Sequence, residues 1–341
     1  MHRRILGGTG ISVSEYAFGA MMLGAWGNPS HEEGVRMVHA ALDGGINFVD
    51  TADMYSDGES ERIIGKALRG RRDDVVLASK AHFPMGPDEN HSGNSRRWLV
   101  RALEGSLRRL DTDYLDLYQI HRPDHATDID ETLSVLSDFV RAGKVRAIGH
   151  SVFPAEQIVE AQWVAERRGH VRFRSEQPPY SIFNRAIEGA VLPTAQRYGL
   201  GVLTWSPLAS GWLSGRYVEP GDVDLTKGRQ AVQAHKFDPS LPGNAAKFAA
   251  LGELRKLAAE LGRPMSHLAL AFVLSHPAVT SAIIGPRTPA QLTDLLEGAD
   301  LRLDGAALDR IDEIVPPGVD LNRLEADYVP PALADKSLRR R

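Results

Sequence analysis

The sequence predicts an α/β protein of the (β/α)8 TIM-barrel class, and three observations carry that prediction. Eight short apolar, β-branched runs recur along the chain, and helical patterns alternate with them. The helical patterns repeat apolar residues at three- and four-residue spacing. The runs are almost continuously apolar, as strands covered on both faces of a parallel sheet are, and eight parallel strands joined by crossover helices close into a barrel. A doubly wound open sheet is the rival, and it would carry a Gly-rich phosphate loop after its first strand. Gly8-Thr9-Gly10 comes nearest, but the third glycine of that fingerprint is missing and no helix follows. The run from Gly58 to Gly65-Lys66 is too long for a P-loop and has Ala67 where Ser or Thr is required.

Turn chemistry at Gly7-Gly8 and Gly10, between short apolar pairs, predicts an N-terminal hairpin over residues 5–13 that caps the barrel floor. Strands are expected at 17–21, 47–50, 75–80, 114–121, 145–151, 173–177, 201–206 and 281–285. A helix over 31–43 puts Val35, Val38, Ala41 and Leu42 on one stripe. A second over 59–68 does so with Ile63, Ile64 and Leu68, and a third over 96–110 with Leu99, Leu103, Leu107 and Leu110. Further helices fall at 129–141, 154–168, 188–198, 266–276 and 289–297, with Pro154 and Pro289 suited to a first helical turn. Three segments lie outside this rhythm. Residues 215–243 are rich in Gly, Pro and Asp and read as a long mobile loop after strand seven, and 244–261 reads as an extra helix. The tail from Pro316 carries Pro-Pro pairs, ends in Leu338-Arg339-Arg340-Arg341, and reads as extended and partly disordered. The expected organisation is one barrel domain over 1–316 and a tail over 317–341.

Forty Lys and Arg against 44 Asp and Glu, in 341 residues, leave a net charge of −4. That argues against a nucleic-acid partner held by phosphate neutralisation. The absence of cysteine excludes disulfides, zinc–thiolate sites, iron–sulfur clusters and a Cys nucleophile. No apolar run approaches the roughly 20 residues that span a bilayer. The basic start at His2, Arg3 and Arg4 is followed by no apolar signal segment. The expected class is a soluble cytoplasmic enzyme with no membrane partner.

Barrels of this class build their active sites at the C-terminal ends of the strands. Polar residues gather at those ends: Asp50-Thr51-Ala52-Asp53 with Tyr55 beyond, Lys80 and His82, His121, His150-Ser151, Glu176-Gln177, Trp205-Ser206-Pro207, and Gly285-Pro286-Arg287. An Asp, a Lys, a Tyr and a His in one partly dry pocket make a general acid. The lysine cation favours the phenolate and lowers the tyrosine pKa. The aspartate keeps the lysine charged, and the histidine bonds the same substrate oxygen. Taken singly, Tyr55 reads as packing and Asp50–Lys80 as a structural ion pair; their joint placement at the strand ends is what points to chemistry. His82 and His150 read as pocket wall. Glu176 would face away from Gln177 and pair with a basic helix residue.

At these residues the sequence resembles the aldo-keto reductase superfamily, in the style of the bacterial branch related to potassium-channel beta subunits. The resemblance runs from Leu6-Gly7 to about Pro317. Its most specific piece is Asp50-Thr51-Ala52-Asp53-Met54-Tyr55 with Glu59 and Gly65 downstream. Lys80, Gln119-Ile120-His121-Arg122-Pro123-Asp124, Gly143-Lys144-Val145-Arg146-Ala147-Ile148-Gly149, Gln177-Pro178-Pro179-Tyr180, Trp205-Ser206-Pro207-Leu208 and Ile284-Gly285-Pro286-Arg287-Thr288 with Gln291 follow in order. The resemblance implies NADPH bound in extended form without a Rossmann domain. It makes Tyr55 the general acid, tuned by Asp50 and Lys80, with His121 orienting the carbonyl. It gives Ser151 and Gln177 the nicotinamide carboxamide and Trp205 the nicotinamide ring. Ser206, Pro207, Leu208, Gly211, Leu213 and Arg216 would line the pyrophosphate. Gly285, Arg287, Gln291 and Asp294 would face the adenosine phosphate end, where Lys227 or Arg229 could share the load. Two positions depart from the pattern. Val152 stands where the family usually has Asn, so one carboxamide bond is lost or passes to backbone or His150. Leu295 replaces a frequent Asn near the adenine.

The function so implied is NADPH-dependent reduction of an aldehyde or ketone, a small-molecule carbonyl, to the alcohol. Met21, Met22, Trp26 and Phe83 would wall an apolar or aromatic substrate. Two alternatives remain beside it. One is an NADPH-binding redox-sensing subunit, although no segment reads as a docking motif. The other is a metal-dependent barrel hydrolase using His82, His121 and His150 with Asp50 or Asp124. Paired-histidine spacing is absent, however, and Lys80 would set a cation beside the metal.

Overall fold

A two-stranded hairpin, β1 (Arg3–Ile5) and β2 (Ser12–Ser14), precedes the barrel. The eight strands that follow are β3 (Tyr16–Gly19), β4 (Phe48–Asp50), β5 (Val76–Ala81), β6 (Leu115–Ile120), β7 (Val145–His150), β8 (Ser175–Glu176), β9 (Gly201–Thr204) and β10 (Val279–Ile284). The structure is a computed structural model that describes residues 1–226, 230–231 and 233–339. The strands run parallel in chain order, and β10 pairs with β3 to close the barrel. Lys227, Arg229, Arg340 and Arg341 lie outside the described residues.

The strand pleat decides which side chains face inward. Successive side chains alternate faces, so residues two apart share one. Leu6, Val13, Ala17, Phe48, Ala78, Leu117, Ala147, Leu203 and Ile283 form one buried cluster inside the barrel, with Leu6 of the hairpin wholly buried at its floor. Two residues further along their strands, Asp50, Lys80 and Gln119 take the same face. At Gly149 the Ser175 side chain fills the space a side chain would need: a Cβ there would lie 2.0 Å from the Ser175 hydroxyl. The residues of opposite parity join a second, larger cluster between the sheet and the helices.

The surrounding helices are α1 (His31–Asp43), α2 (Glu59–Ala67), α3 (Arg96–Leu110), α4 (Ile129–Arg141), α5 (Ala155–Arg168), α6 (Val191–Tyr198), α7 (Ala234–Phe237), α8 (Pro242–Glu260), α9 (Met265–Ser275), α10 (Pro289–Glu297), α11 (Gly305–Ile314) and α12 (Pro331–Ala334). Several start where a side chain satisfies a free amide: Ser30 caps α1, Ser95 α3, Asp128 α4 and Thr288 α10. Among the described residues no helix is long and apolar enough to cross a membrane.

The structure corrects several expected boundaries. The first barrel strand stops at Gly19, and Ala20–Met22 form a 3-10 turn, so Met21 is not in it. The sixth strand has only two residues, because the following Pro178-Pro179 cannot donate ladder bonds. Residues 188–198 split into a 3-10 turn, Ala186–Gly189, and α6. The segment after β9 holds a 3-10 turn at Pro220–Asp222 as well as α7. Helix α11 was not foreseen; Asp304 caps it by accepting from the Ala307 amide, and it buries Ala307 and Ile311. The tail read as extended chain carries a 3-10 turn at Arg323–Glu325 and α12. Its docking is polar: Glu325 meets Lys247 Nζ at 2.8 Å and Asn322 Nδ2 donates to Asn244 Oδ1 at 2.8 Å.

Candidate active site

The pleat delivers three neighbouring strands' polar residues to one point above the inner apolar cluster. Lys80 of β5 is wholly buried, and its Nζ lies 2.6 Å from Asp50 Oδ2 and 2.8 Å from the Thr51 carbonyl. Tyr55, on the turn after β4, places its hydroxyl 3.5 Å from the same Nζ. The other oxygen of Asp50 accepts from Gln177 Nε2 at 2.9 Å and from Gln119 Nε2 at 3.5 Å. His121, just past β6, sets its ring edge-on to Tyr55 at 5.8 Å and to Phe83 at 4.9 Å. The four catalytic candidates therefore converge, and Gln119 joins them. The sequence names Gln119 within the resemblance but gives it no role, although it stands two residues before His121 and so shares its face.

The charges in this cluster follow from burial and distance. Burial works against the Lys80 ammonium, but Asp50 and Tyr55 outweigh it and raise its pKa, so it stays charged. Burial raises the Tyr55 pKa by more than Lys80 lowers it. This corrects the expectation of a net depressed tyrosine: Lys80 pulls in the foreseen direction and desolvation wins. His121 is pushed well below the ordinary imidazole value by burial, with Lys80 and Arg122 adding to it. The site thus combines a protonated phenol, a fixed ammonium and a neutral imidazole.

Around this centre the remaining candidates are spread along the mouth. Ser151 Oγ donates to the Gln177 carbonyl at 2.7 Å, tying the ends of β7 and β8 together. Trp205 lies past β9, with Lys236 Nζ 5.9 Å from its ring centre. The chain then turns through Pro207 and Leu208, with positive φ at Ser206, Ala209, Ser210 and Gly211. Ser206 Oγ accepts from the Ser210 amide at 2.8 Å. Leu213 is buried, and Arg216 Nη2 donates to the Tyr217 hydroxyl at 2.8 Å. A Cβ on Gly211 would meet only the Arg216 side chain, at 3.7 Å, and one on Gly285 nothing within 4 Å. Arg287 is exposed, and its amide donates to Gln291 Oε1 at 2.8 Å, so Gln291 folds back on its own helix start. Asp294 is turned toward α9, where its Oδ2 accepts from Ser266 Oγ at 3.1 Å.

The other strand-end histidines take different places. His82 is half-buried and bonds Asn94 Oδ1 at 2.9 Å. His150 is not pocket wall: it faces the helix layer and pairs through Nδ1 with Glu176 Oε2. Glu176 does face away from Gln177 as expected, but its partner is this histidine on β7 rather than a basic helix residue. His82, His121 and His150 consequently do not share a site, and His150 cannot take up the contact that an asparagine at 152 would make.

Residues 16–316 match the sequence profile of the aldo/keto reductase family. The chain is 39% identical over 329 residues to the uncharacterized oxidoreductase YrpG of Bacillus subtilis, a match covering 93% of this chain and 96% of that one. It is 36% identical over 324 residues to a probable voltage-gated potassium channel subunit beta of Oryza sativa subsp. japonica, covering 92% and 97%. It is 37% identical over 298 residues to the aldo-keto reductase YhdN of Bacillus subtilis, covering 85% and 86%.

Proposed function

This chain belongs to the aldo/keto reductase family and is an oxidoreductase, and from that premise we propose that it reduces an aldehyde or ketone with NADPH, Tyr55 giving the proton. The observation that carries the reading is the buried Asp50–Lys80–Tyr55 chain beside His121. NADPH, when bound, supplies the hydride that reduces the carbonyl carbon. Its donor set fits this mouth. Ser151 and Gln177 offer polar groups for an amide, Trp205 an aromatic face, Arg216 and Arg287 cations for phosphates, and Gly211 and Gly285 room for close approach.

As the carbonyl oxygen gains charge, the Tyr55 hydroxyl passes it a proton. Lys80 stabilises the phenolate left behind, and Asp50 holds Lys80 in place. His121 is neutral, so it donates a hydrogen bond to the oxygen without competing as the acid. Trp26, whose ring centre is 6.1 Å from that of Tyr55, and Phe83 give the entrance an apolar, aromatic character suited to an apolar or aromatic carbonyl.

The test is Tyr55→Phe. The variant is expected to bind NADPH as the wild type does and to lose about 10²–10⁴-fold in carbonyl reduction. Near-wild-type turnover would remove Tyr55 from the mechanism. Tight NADPH binding by the wild type with no turnover across an aldehyde and ketone panel would instead favour an NADPH-binding redox-sensing subunit.

A further inference from the structure

The turn that follows β7 carries an uncommon backbone. Val152 has φ +59°, in the left-handed region where Gly and Asn are at home and a β-branched side chain is an outlier. Such a conformation persists only where the surroundings hold it. On the inner side, Ser151 Oγ is tied to the Gln177 carbonyl, and Gln177 Nε2 to Asp50. On the outer side stands a pair that the proposed reaction does not use. His150 and Glu176 are register partners on β7 and β8, both wholly buried, with Nδ1 bonded to Oε2. The His150 ring stacks on Phe153 at 4.5 Å with 22° between planes, and meets Phe173 edge-on at 4.7 Å. Burial raises the Glu176 pKa above the ordinary carboxylate value; His150 first, and then the nearby amides of Phe153 and Val152, work against that rise, while Oε1 makes no full hydrogen bond. The outer pair therefore touches the turn twice, by an aromatic stack on Phe153 and by a carboxylate against two successive amides.

We propose that His150 and Glu176 are positioning residues that clamp the Ser151–Val152–Phe153 turn from behind in its left-handed form, and so set where Ser151 and Gln177 meet the nicotinamide carboxamide. The last step rests on the NADPH reading; the clamp does not. Glu176 holds two amides that would otherwise rotate with a relaxing valine. His150 fixes the carboxylate and the Phe153 ring together. The inner hydroxyl of Ser151 is then aimed by groups on the far side of the sheet.

The test uses the full chain and three variants, Glu176→Gln, Val152→Gly, and the two combined. Hydrogen exchange of the 151–153 amides is read without cofactor, and NADPH affinity by fluorescence titration. Glu176→Gln is expected to speed that local exchange and to weaken NADPH binding about tenfold, the scale of one lost hydrogen bond to a charged group. Turnover at saturating NADPH and substrate should change little. Val152→Gly removes the strain, so adding it to Glu176→Gln should restore most of the affinity. Unchanged exchange in folded Glu176→Gln overturns the clamp. Faster exchange with unaltered NADPH affinity overturns its link to the cofactor. A wild type that binds no NADPH overturns the functional reading, and the exchange data still decide the clamp. If Glu176→Gln does not fold, the combined variant must; its failure as well would mean that the pair supports the whole fold rather than the turn.

Discussion

At the residue scale, the same strand ends hold two kinds of buried charge. Lys80 is matched by Asp50. Asp53, three residues further on, is turned to the outer face, buried near Glu61, whose own oxygens are taken by Arg109 at 2.7 Å and Ser79 at 2.5 Å. Burial first, and then Glu61, raise the Asp53 pKa well above its ordinary 3.8. A folded pKa above the unfolded one gives stability that is full below the unfolded value and is lost as pH rises toward the folded one. Asp53→Asn should therefore raise the melting temperature at pH 8, with a gain that shrinks toward pH 4; a loss that is equal at every pH would refute this. Arg287→Ala should weaken NADPH about tenfold or more while leaving NADH nearly untouched, because one charged hydrogen bond is worth about 1.5–3 kcal/mol. Equal losses for the two cofactors in parallel titrations would show that Arg287 does not read the 2′-phosphate. The convergence of Asp50, Tyr55, Lys80 and His121 was legible because each ends or follows a strand. The facing of His150 was not. Neighbours on a strand point to opposite sides, and only the pleat phase, fixed by Ala147 inside and Ile148 outside, assigns His150 to the helix layer.

At the element scale, legibility followed local signals. Helices α1, α3, α4 and α10 fell where caps and apolar stripes agree within one segment. Helix α11 carries a short stripe, with Ala307 and Ile311 buried and Leu308 and Ile314 packed partly against the core, but it spans only ten residues and follows the last strand, outside the strand–helix alternation. The tail's order was invisible because its partners are far off in sequence: Glu325 answers to Lys247 on α8, a lysine that is wholly buried and lies 4.8 Å above the Trp212 ring. Burial lowers the Lys247 pKa and raises that of Glu325, so each depends on the other to remain charged. Lys247→Met should cost about 3–5 kcal/mol in denaturant unfolding, because it leaves a buried carboxylate alone. The double variant Lys247→Met with Glu325→Leu should recover most of that loss. Equal destabilisation by the single and the double variant would mean that shape, not charge, docks the tail.

At the scale of the whole molecule, one apolar plug separates a sealed end from a chemical end. The barrel class was legible because it needs only the count and order of strands and helices, whereas the plug's packing needs their tilt. Leu6 fills the floor beneath Phe48, Ala78, Leu117 and Leu203. Leu6→Ala should destabilise by about 2–5 kcal/mol, by lost transfer and a residual cavity. A smaller effect in equilibrium unfolding would mean that the floor collapses around the smaller side chain. The period-two pleat that carries Asp50, Lys80 and Gln119 inward also restricts how the gene can change in length. Inserting one codon between residues 76 and 79 would move Lys80 out of phase, sending its ammonium to the helix layer and the Ser79 hydroxyl to the mouth of the barrel. Insertions and deletions should accordingly accumulate between the strands, in stretches such as 215–241, while the short inward-facing segments keep their length across descendants even where their residues drift.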